Sequence, residues 1–150
     1  MRAEKDSQMP FLASVLLLIG GGIGAWLFYS AFVINHKVKL PDALEAQRDE
    51  MQGRNAATLS YYSDISAEGV PLVLIHSINA AASAYEVRPL FEYYRGKRPV
   101  YALDLPGFGF SDRSDRAYSI DLYKDAIADF MEHVGGEIDV VTLSLSSEFV

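Results

Sequence analysis

The stretch Ile138-Asp139-Val140-Val141-Thr142-Leu143-Ser144-Leu145-Ser146-Ser147 decides how this chain of 150 residues is read. A run with the length and apolar character of a buried strand leads straight into a serine, with the small residues Thr142 and Ser146 two positions to either side. A sharp turn from strand to helix lifts such a hydroxyl clear of the sheet, which is where a nucleophile is useful. A serine after a strand can equally be a plain helix cap. The segments upstream have to separate the two.

Working back from the serine, Pro71–Ile75 and Val100–Leu103 are two further apolar runs of the kind buried on both faces of a sheet. Leu59–Tyr62 reads as an edge strand. A helix is expected from Ser83, with Glu86 at the spacing of a capping box, to Gly96. A second is expected from Ser119, which caps it, through Ile120, Tyr123, Ile127, Phe130, Met131 and Val134 to Gly135-Gly136. Alternation of strand and helix specifies an α/β fold with a mostly parallel sheet, flanking helices and right-handed crossovers. Ligands of such sheets sit beyond the carboxyl ends of the strands. His76, Asp104 and Ser144 each follow a strand at that end, so three distant segments converge on one edge.

With these residues in place, the region from Leu59 to Val150 resembles the N-terminal half of an α/β-hydrolase domain. The resemblance is carried by the strand ending His76-Ser77-Ile78-Asn79, by the loop Asp104-Leu105-Pro106-Gly107-Phe108-Gly109-Phe110-Ser111-Asp112, and by the serine turn. It implies that Ser144 attacks an acyl carbon of a small-molecule substrate while the backbone N–H groups of Ile78 and Leu145 stabilise the developing oxyanion. His76 then braces the loop rather than acting as base, and Asp104 accepts backbone hydrogen bonds within its glycine-rich loop. Ser146 and Ser147 are rival nucleophiles by residue type, but only Ser144 follows the strand directly with small residues at both offsets. In the family order the acid and the base follow the serine, so both are expected beyond Val150, and residues 1–150 alone are expected to be inactive, with the edge of the last strand exposed.

The chain departs from the family pattern at Ser77, where a glycine is usual, and at Thr142 and Ser146, which replace the two glycines around the nucleophile. These departures motivate an alternative in another class, a membrane-tethered binding or scaffold protein of the same fold without catalysis. His133, in the last turn of its helix, and His36, just after the apolar N-terminal run, do not read as catalytic. Gly107-Phe108-Gly109 does not open a helix as a phosphate cradle would, and no His, Cys or carboxylate cluster has metal-ligand spacing. No cofactor or metal is therefore expected.

The N-terminal part has a different character. Phe11–Ile34 carries no charged residue, and at about 1.5 Å per helical residue it is long enough for a hydrocarbon layer of about 30 Å. It exceeds the apolar core of a signal peptide and leaves through Trp26, Phe28, Tyr29 and Phe32, bulky aromatics suited to an interface. The expectation is a tail over 1–10, a single membrane-spanning helix over 11–34, a linker or stalk over 35–58 with a short helix behind Pro41, and the incomplete hydrolase domain over 59–150. Gly20 and Gly24 have the spacing that lets two membrane helices approach and form a dimer. Lys and Arg counts on the two sides of the span leave the side of the catalytic domain undetermined. Twenty acidic against thirteen basic residues, a net charge of -7, argue against nucleic acid as a partner, and the absence of cysteine leaves the redox compartment open.

Overall fold

The structure, a computed structural model, describes residues 3–34 and 39–150. The chain divides into two compact units, Met1–Lys39 and Leu40–Val150. In the first, helix α1 spans Ala3–Phe32. It starts earlier than the apolar run, so most of the segment expected as a tail is helical. Ala3, Glu4, Lys5, Gln8 and Met9 are good helix formers that extend it. The portion Ala13–Phe32 has a mean hydropathy of 1.8 and none of it is buried. It is long and apolar enough to cross a membrane, a criterion that a signal sequence also meets. His36 lies outside the described residues.

The second unit is built on a five-stranded sheet of β1 (Gln47–Gly53), β2 (Ala57–Asp64), β3 (Leu72–Ile75), β4 (Val100–Leu103) and β5 (Asp139–Thr142), in the order β1-β2-β4-β3-β5. β3 pairs in parallel with both β4 and β5, whereas β1 with β2 and β2 with β4 are antiparallel. The sheet is thus mixed rather than mostly parallel. The three parallel strands are the ones whose apolar runs were legible in the sequence.

The antiparallel side corrects the sequence reading. The segment read as a stalk contains β1, paired along its whole length with β2, and β2 is an interior strand rather than the edge. Only every second residue of β1 from Asp49 onward is partly covered, so its polar sequence hides a period of two in an edge strand. The helix formers behind Pro41 yield to tertiary contacts. Leu44 is buried, and the Ala43 N–H donates to the hydroxyl of the buried Tyr62 at 2.9 Å.

Alternation sorts the core into two layers. Val73 and Ile75 of β3 face a cluster with Leu59, Tyr61, Leu103, Ile127 and Phe130, while Leu72 and Leu74 face one with Leu44, Tyr62, Val87, Phe91 and Ala102. Helix α3 (Ile120–Val134) covers the first layer. It starts at Ser119, whose hydroxyl accepts from the Leu122 N–H at 3.2 Å, and ends at Gly135, as its sequence specifies. The second layer is covered by a 3₁₀ turn, Ala84–Val87, that runs into helix α2 (Arg88–Tyr94).

Two arginines fasten the frame. Arg98, just before β4, bonds the Val70 carbonyl ahead of β3 and reaches Asp139 at the start of β5 at 2.5 Å, so one guanidinium joins the entries of all three parallel strands. Arg54, in the turn from β1 to β2, gives both its backbone N–H (2.7 Å) and its guanidinium to Asp129, whose carboxylate is buried on α3. Asp129→Ala leaves that backbone N–H without its acceptor and should cost about 1–3 kcal/mol, read as a lower urea midpoint with an unchanged slope.

Candidate active site

β3, β4 and β5 end at Ile75, Leu103 and Thr142, and the chain leaves them through His76, Asp104 and Leu143-Ser144. Parallel pairing brings these three exits to one edge of the sheet. His76 ties them together. Its ring is fully buried, Nε2 accepts the Leu105 N–H at 3.0 Å, and Nδ1 faces the Ser77 carbonyl at 2.6 Å. An acceptor at Nε2 and a carbonyl at Nδ1 require the neutral tautomer protonated on Nδ1. The carbonyl of the same residue accepts from Ser146 Oγ at 2.5 Å, which connects the β5 exit.

Ser144 stands at φ +55°, a left-handed conformation uncommon for a residue with a Cβ. It lies at the start of a 3₁₀ turn, Ser144–Phe149, where a longer helix was expected. Its side chain is exposed, and among the described residues its hydroxyl has no hydrogen-bond partner. The rival hydroxyls are engaged: Ser146 is buried against His76, and Ser147 Oγ donates to the Ser144 carbonyl at 2.7 Å. Thr142 is the last residue of β5, half-buried and in register with Ile75.

The backbone N–H groups of Ile78 and Leu145 donate to no acceptor among the described residues. The two loops that carry them are joined at their roots, through the Leu143 N–H to the Ile75 carbonyl at 3.0 Å and through the Ser146 bond. Loop 76–79 is further held by Glu86. The carboxylate accepts from Ser77 N–H (2.9 Å), Ser77 Oγ (2.6 Å) and Asn79 Nδ2 (2.7 Å). The capping box read for Ser83 and Glu86 is therefore not formed. Ser83 Oγ does accept the Tyr85 N–H at 3.3 Å, but Glu86 turns away to the loop, where three donors outcompete one.

Asp104 is fully buried and holds a different loop closed. Oδ1 accepts the Ala84 N–H at 2.8 Å and Oδ2 the Phe110 N–H at 3.1 Å. Ser111 Oγ donates to the Asp104 carbonyl (2.5 Å) and accepts from Ser60 N–H (2.8 Å), linking the loop to β2. Gly109 sits at φ +50°, and a Cβ there would lie 1.9 Å from Asp104 Oδ2. Both conformation and space demand glycine.

A cleft of about 650 Å³ is lined by Leu40, Ala82, Tyr85, Phe108, Phe110 and Arg113 among others, and Ser144 is not part of it. A second, of about 510 Å³, lies against Ser77, Glu86, Arg88 and Leu143, beside the β5 exit. Position at the strand ends singles out the Ser144 region more specifically than cavity size does. No group of three or more metal-ligating side chains occurs among the described residues. Of the residues singled out from the sequence, His76, Asp104 and Ser146 are drawn into one hydrogen-bonded edge, while His133 instead meets the Tyr61 hydroxyl at 3.1 Å. Glu86 was missed as a loop partner, since a contact spanning nine positions leaves no local pattern. A serine in a glycine's place at 77 was the one available hint that some acceptor must lie near.

This geometry is that of a known family. The model of the Alpha/beta hydrolase family matches residues 72–147, just over half of the chain, and the chain belongs to that family. No curated protein matches it. Among solved structures it is similar to a candidate lipase from Acinetobacter baumannii, with 26% identity over 69% of this chain and 34% of that one and a TM-score of 0.60. An epoxide hydrolase from Vigna radiata (16%, 70% and 32%, 0.61) and a loop variant of a haloalkane dehalogenase from Bradyrhizobium elkanii (17%, 69% and 33%, 0.61) share the fold. The chain spans about a third of the length of these structures.

Burial lowers the pKa of His76 from its ordinary 6.5, against the raising effects of the Ser77 carbonyl and Asp104. The folded state therefore binds fewer protons than the unfolded chain once pH drops below about 6.5. Stability should be lost as pH falls from there toward the folded value, and His76→Gln should remove that part of the pH profile in a denaturation series. Gly109→Ala, which forces Asp104 out of its place, should cost about 3 kcal/mol or more and lower Tm by several degrees in a thermal melt.

Proposed function

We propose that this chain belongs to a membrane-anchored serine hydrolase that cleaves an ester or related acyl substrate through an acyl-enzyme. Ser144 is its nucleophile, and the N–H groups of Ile78 and Leu145 form its oxyanion hole. The observation that carries this reading is the left-handed backbone of Ser144 directly after β5, with an exposed hydroxyl that serves no neighbour. A residue with a Cβ is kept in such a conformation where the surroundings enforce it, and such strain clusters at functional sites.

In the proposed reaction Ser144 Oγ adds to the acyl carbon and its proton passes to a general base. The carbonyl oxygen becomes an oxyanion that receives the two amides, the alcohol leaves with a proton, and water releases the acyl group by the same steps in reverse roles. His76 cannot be the base, since both ring nitrogens are committed within the loop. His133 is bound to Tyr61 and lies on α3. Neither histidine is therefore assigned as the base, and no acid or base for Ser144 is assigned among the described residues. Ala13–Phe32 of α1 is proposed as the membrane anchor, with the lipid bilayer as its partner.

The alternative, a tethered binding or scaffold protein, rested on the replaced glycines. Two of these replacements have hydrogen-bonded accommodations, Ser77 with Glu86 and Ser146 with the His76 carbonyl, which weakens the ground for lost catalysis. Labelling of the full-length protein with a serine-directed fluorophosphonate separates the readings. Label is expected on the peptide holding Ser144, and Ser144→Ala should abolish it and lower ester hydrolysis by about 10,000-fold or more. A folded wild type that takes no label would favour the binder.

A further inference from the structure

We infer that Glu86 is a positioning residue that aims the Ile78 amide at the oxyanion, by tying down the residues on both sides of it. The inference rests on the hydrolase reading proposed above.

Ser77 and Asn79 flank Ile78, and both end on this one carboxylate. Oε2 takes the Ser77 N–H and hydroxyl, Oε1 takes Asn79 Nδ2, and Asn79 Nδ2 also lies 2.6 Å from Ser77 Oγ. Asn79 Oδ1 in turn accepts the Ala81 N–H at 2.9 Å, so the side chain is held at both ends. The Ile78 N–H between them is left with no acceptor among the described residues. A loop whose flanking residues are fixed and whose central donor is free is preorganised to receive a negative oxygen. Ser77 fits the same account. Where the related pattern has glycine, this chain has a hydroxyl, and Glu86 converts that hydroxyl into a third attachment point.

The carboxylate form is required, because only donors converge on it. Burial would raise the Glu86 pKa, but the hydrogen bonds from Ser77 and Asn79 outweigh it and hold it below the ordinary 4.5. The groups around it are His76, neutral at the end of β3; Arg88 of α2, which lines the same cavity; and Asp104 at the end of β4, which holds Ala84 two residues away. With the folded pKa depressed, the clamp is complete at neutral pH and is lost as pH falls through that value.

The test uses the full-length protein, an activated ester and two variants. Glu86→Gln has the same shape but presents an amide donor where only donors meet, and should lower kcat about tenfold. Glu86→Ala removes all three bonds and should lower kcat about 100-fold, the scale of a misplaced reacting group. In both, KM should stay within about twofold, and the acid limb that the clamp adds to the wild-type kcat profile should vanish in the glutamine variant. Unchanged kcat, or a rise in KM alone, would overturn the role. Should Glu86→Ala not fold, the isosteric glutamine variant decides. Amide hydrogen exchange over residues 76–79 is read in parallel: faster exchange in Glu86→Gln supports the clamp, and unchanged exchange overturns it. A wild type that neither hydrolyses ester nor takes fluorophosphonate overturns the hydrolase reading and the catalytic role together, and the exchange result then judges the clamp by itself.

Discussion

The buried imidazole of His76 holds the edge of the sheet together. A neutral ring accepts a backbone N–H from the β4 exit and donates to its own loop, while its carbonyl takes a hydroxyl from the β5 exit. Three stretches separated by tens of residues thereby meet at fixed spacing. Burying a polar ring is costly unless each nitrogen is satisfied, and here each is, so the desolvation that depresses its pKa is offset by two well-directed bonds. The backbone conformation of Ser144 depends on this frame. Strain at φ +55° persists only where neighbouring contacts over-determine it, and the Ser146 hydroxyl on the His76 carbonyl, two residues on, is such a contact.

Hydroxyls in place of glycines follow a common logic here. Glycine permits close approach by having no side chain. A serine at the same place permits it only if its hydroxyl finds a partner at the point of contact. At 146 the partner is a carbonyl of the adjoining strand exit, and at 77 it is a carboxylate. At 109 the neighbouring Asp104 already fills the space, and glycine is retained. At 77 and 146 the pattern is therefore a substitution of hydrogen-bonded contact for bare van der Waals contact.

The parallel half of the fold was legible in the sequence because its strands are apolar on both faces and its second helix carries both of its caps. Val73 and Ile75 face one layer and Leu72 and Leu74 the other, so no alternation was needed to find them. The antiparallel half was not legible. β1 is an edge strand in which Arg48, Asp49 and Glu50 stand in a row, and charges that keep an edge from pairing with other chains also erase its strand signal. The positions of His76, Asp104 and Ser144 at the strand exits could be read from order alone, since parallel strands must end on the same side. The carboxylate that holds loop 76–79 could not. Glu86 had a local explanation, a cap for its own turn, and nothing in linear spacing distinguishes that from a bond across a loop.

Arg98 joins the entries of β3, β4 and β5 at the opposite end from His76. The edge formed by the strand exits is in this way decoupled from the floor of the sheet: the registration of the three strands is secured by one guanidinium at their entries. Loops at the upper rim are then free to diverge in length and chemistry while the strands beneath them keep their alignment, a division of labour through which one scaffold can accept new substrates without refolding its foundation.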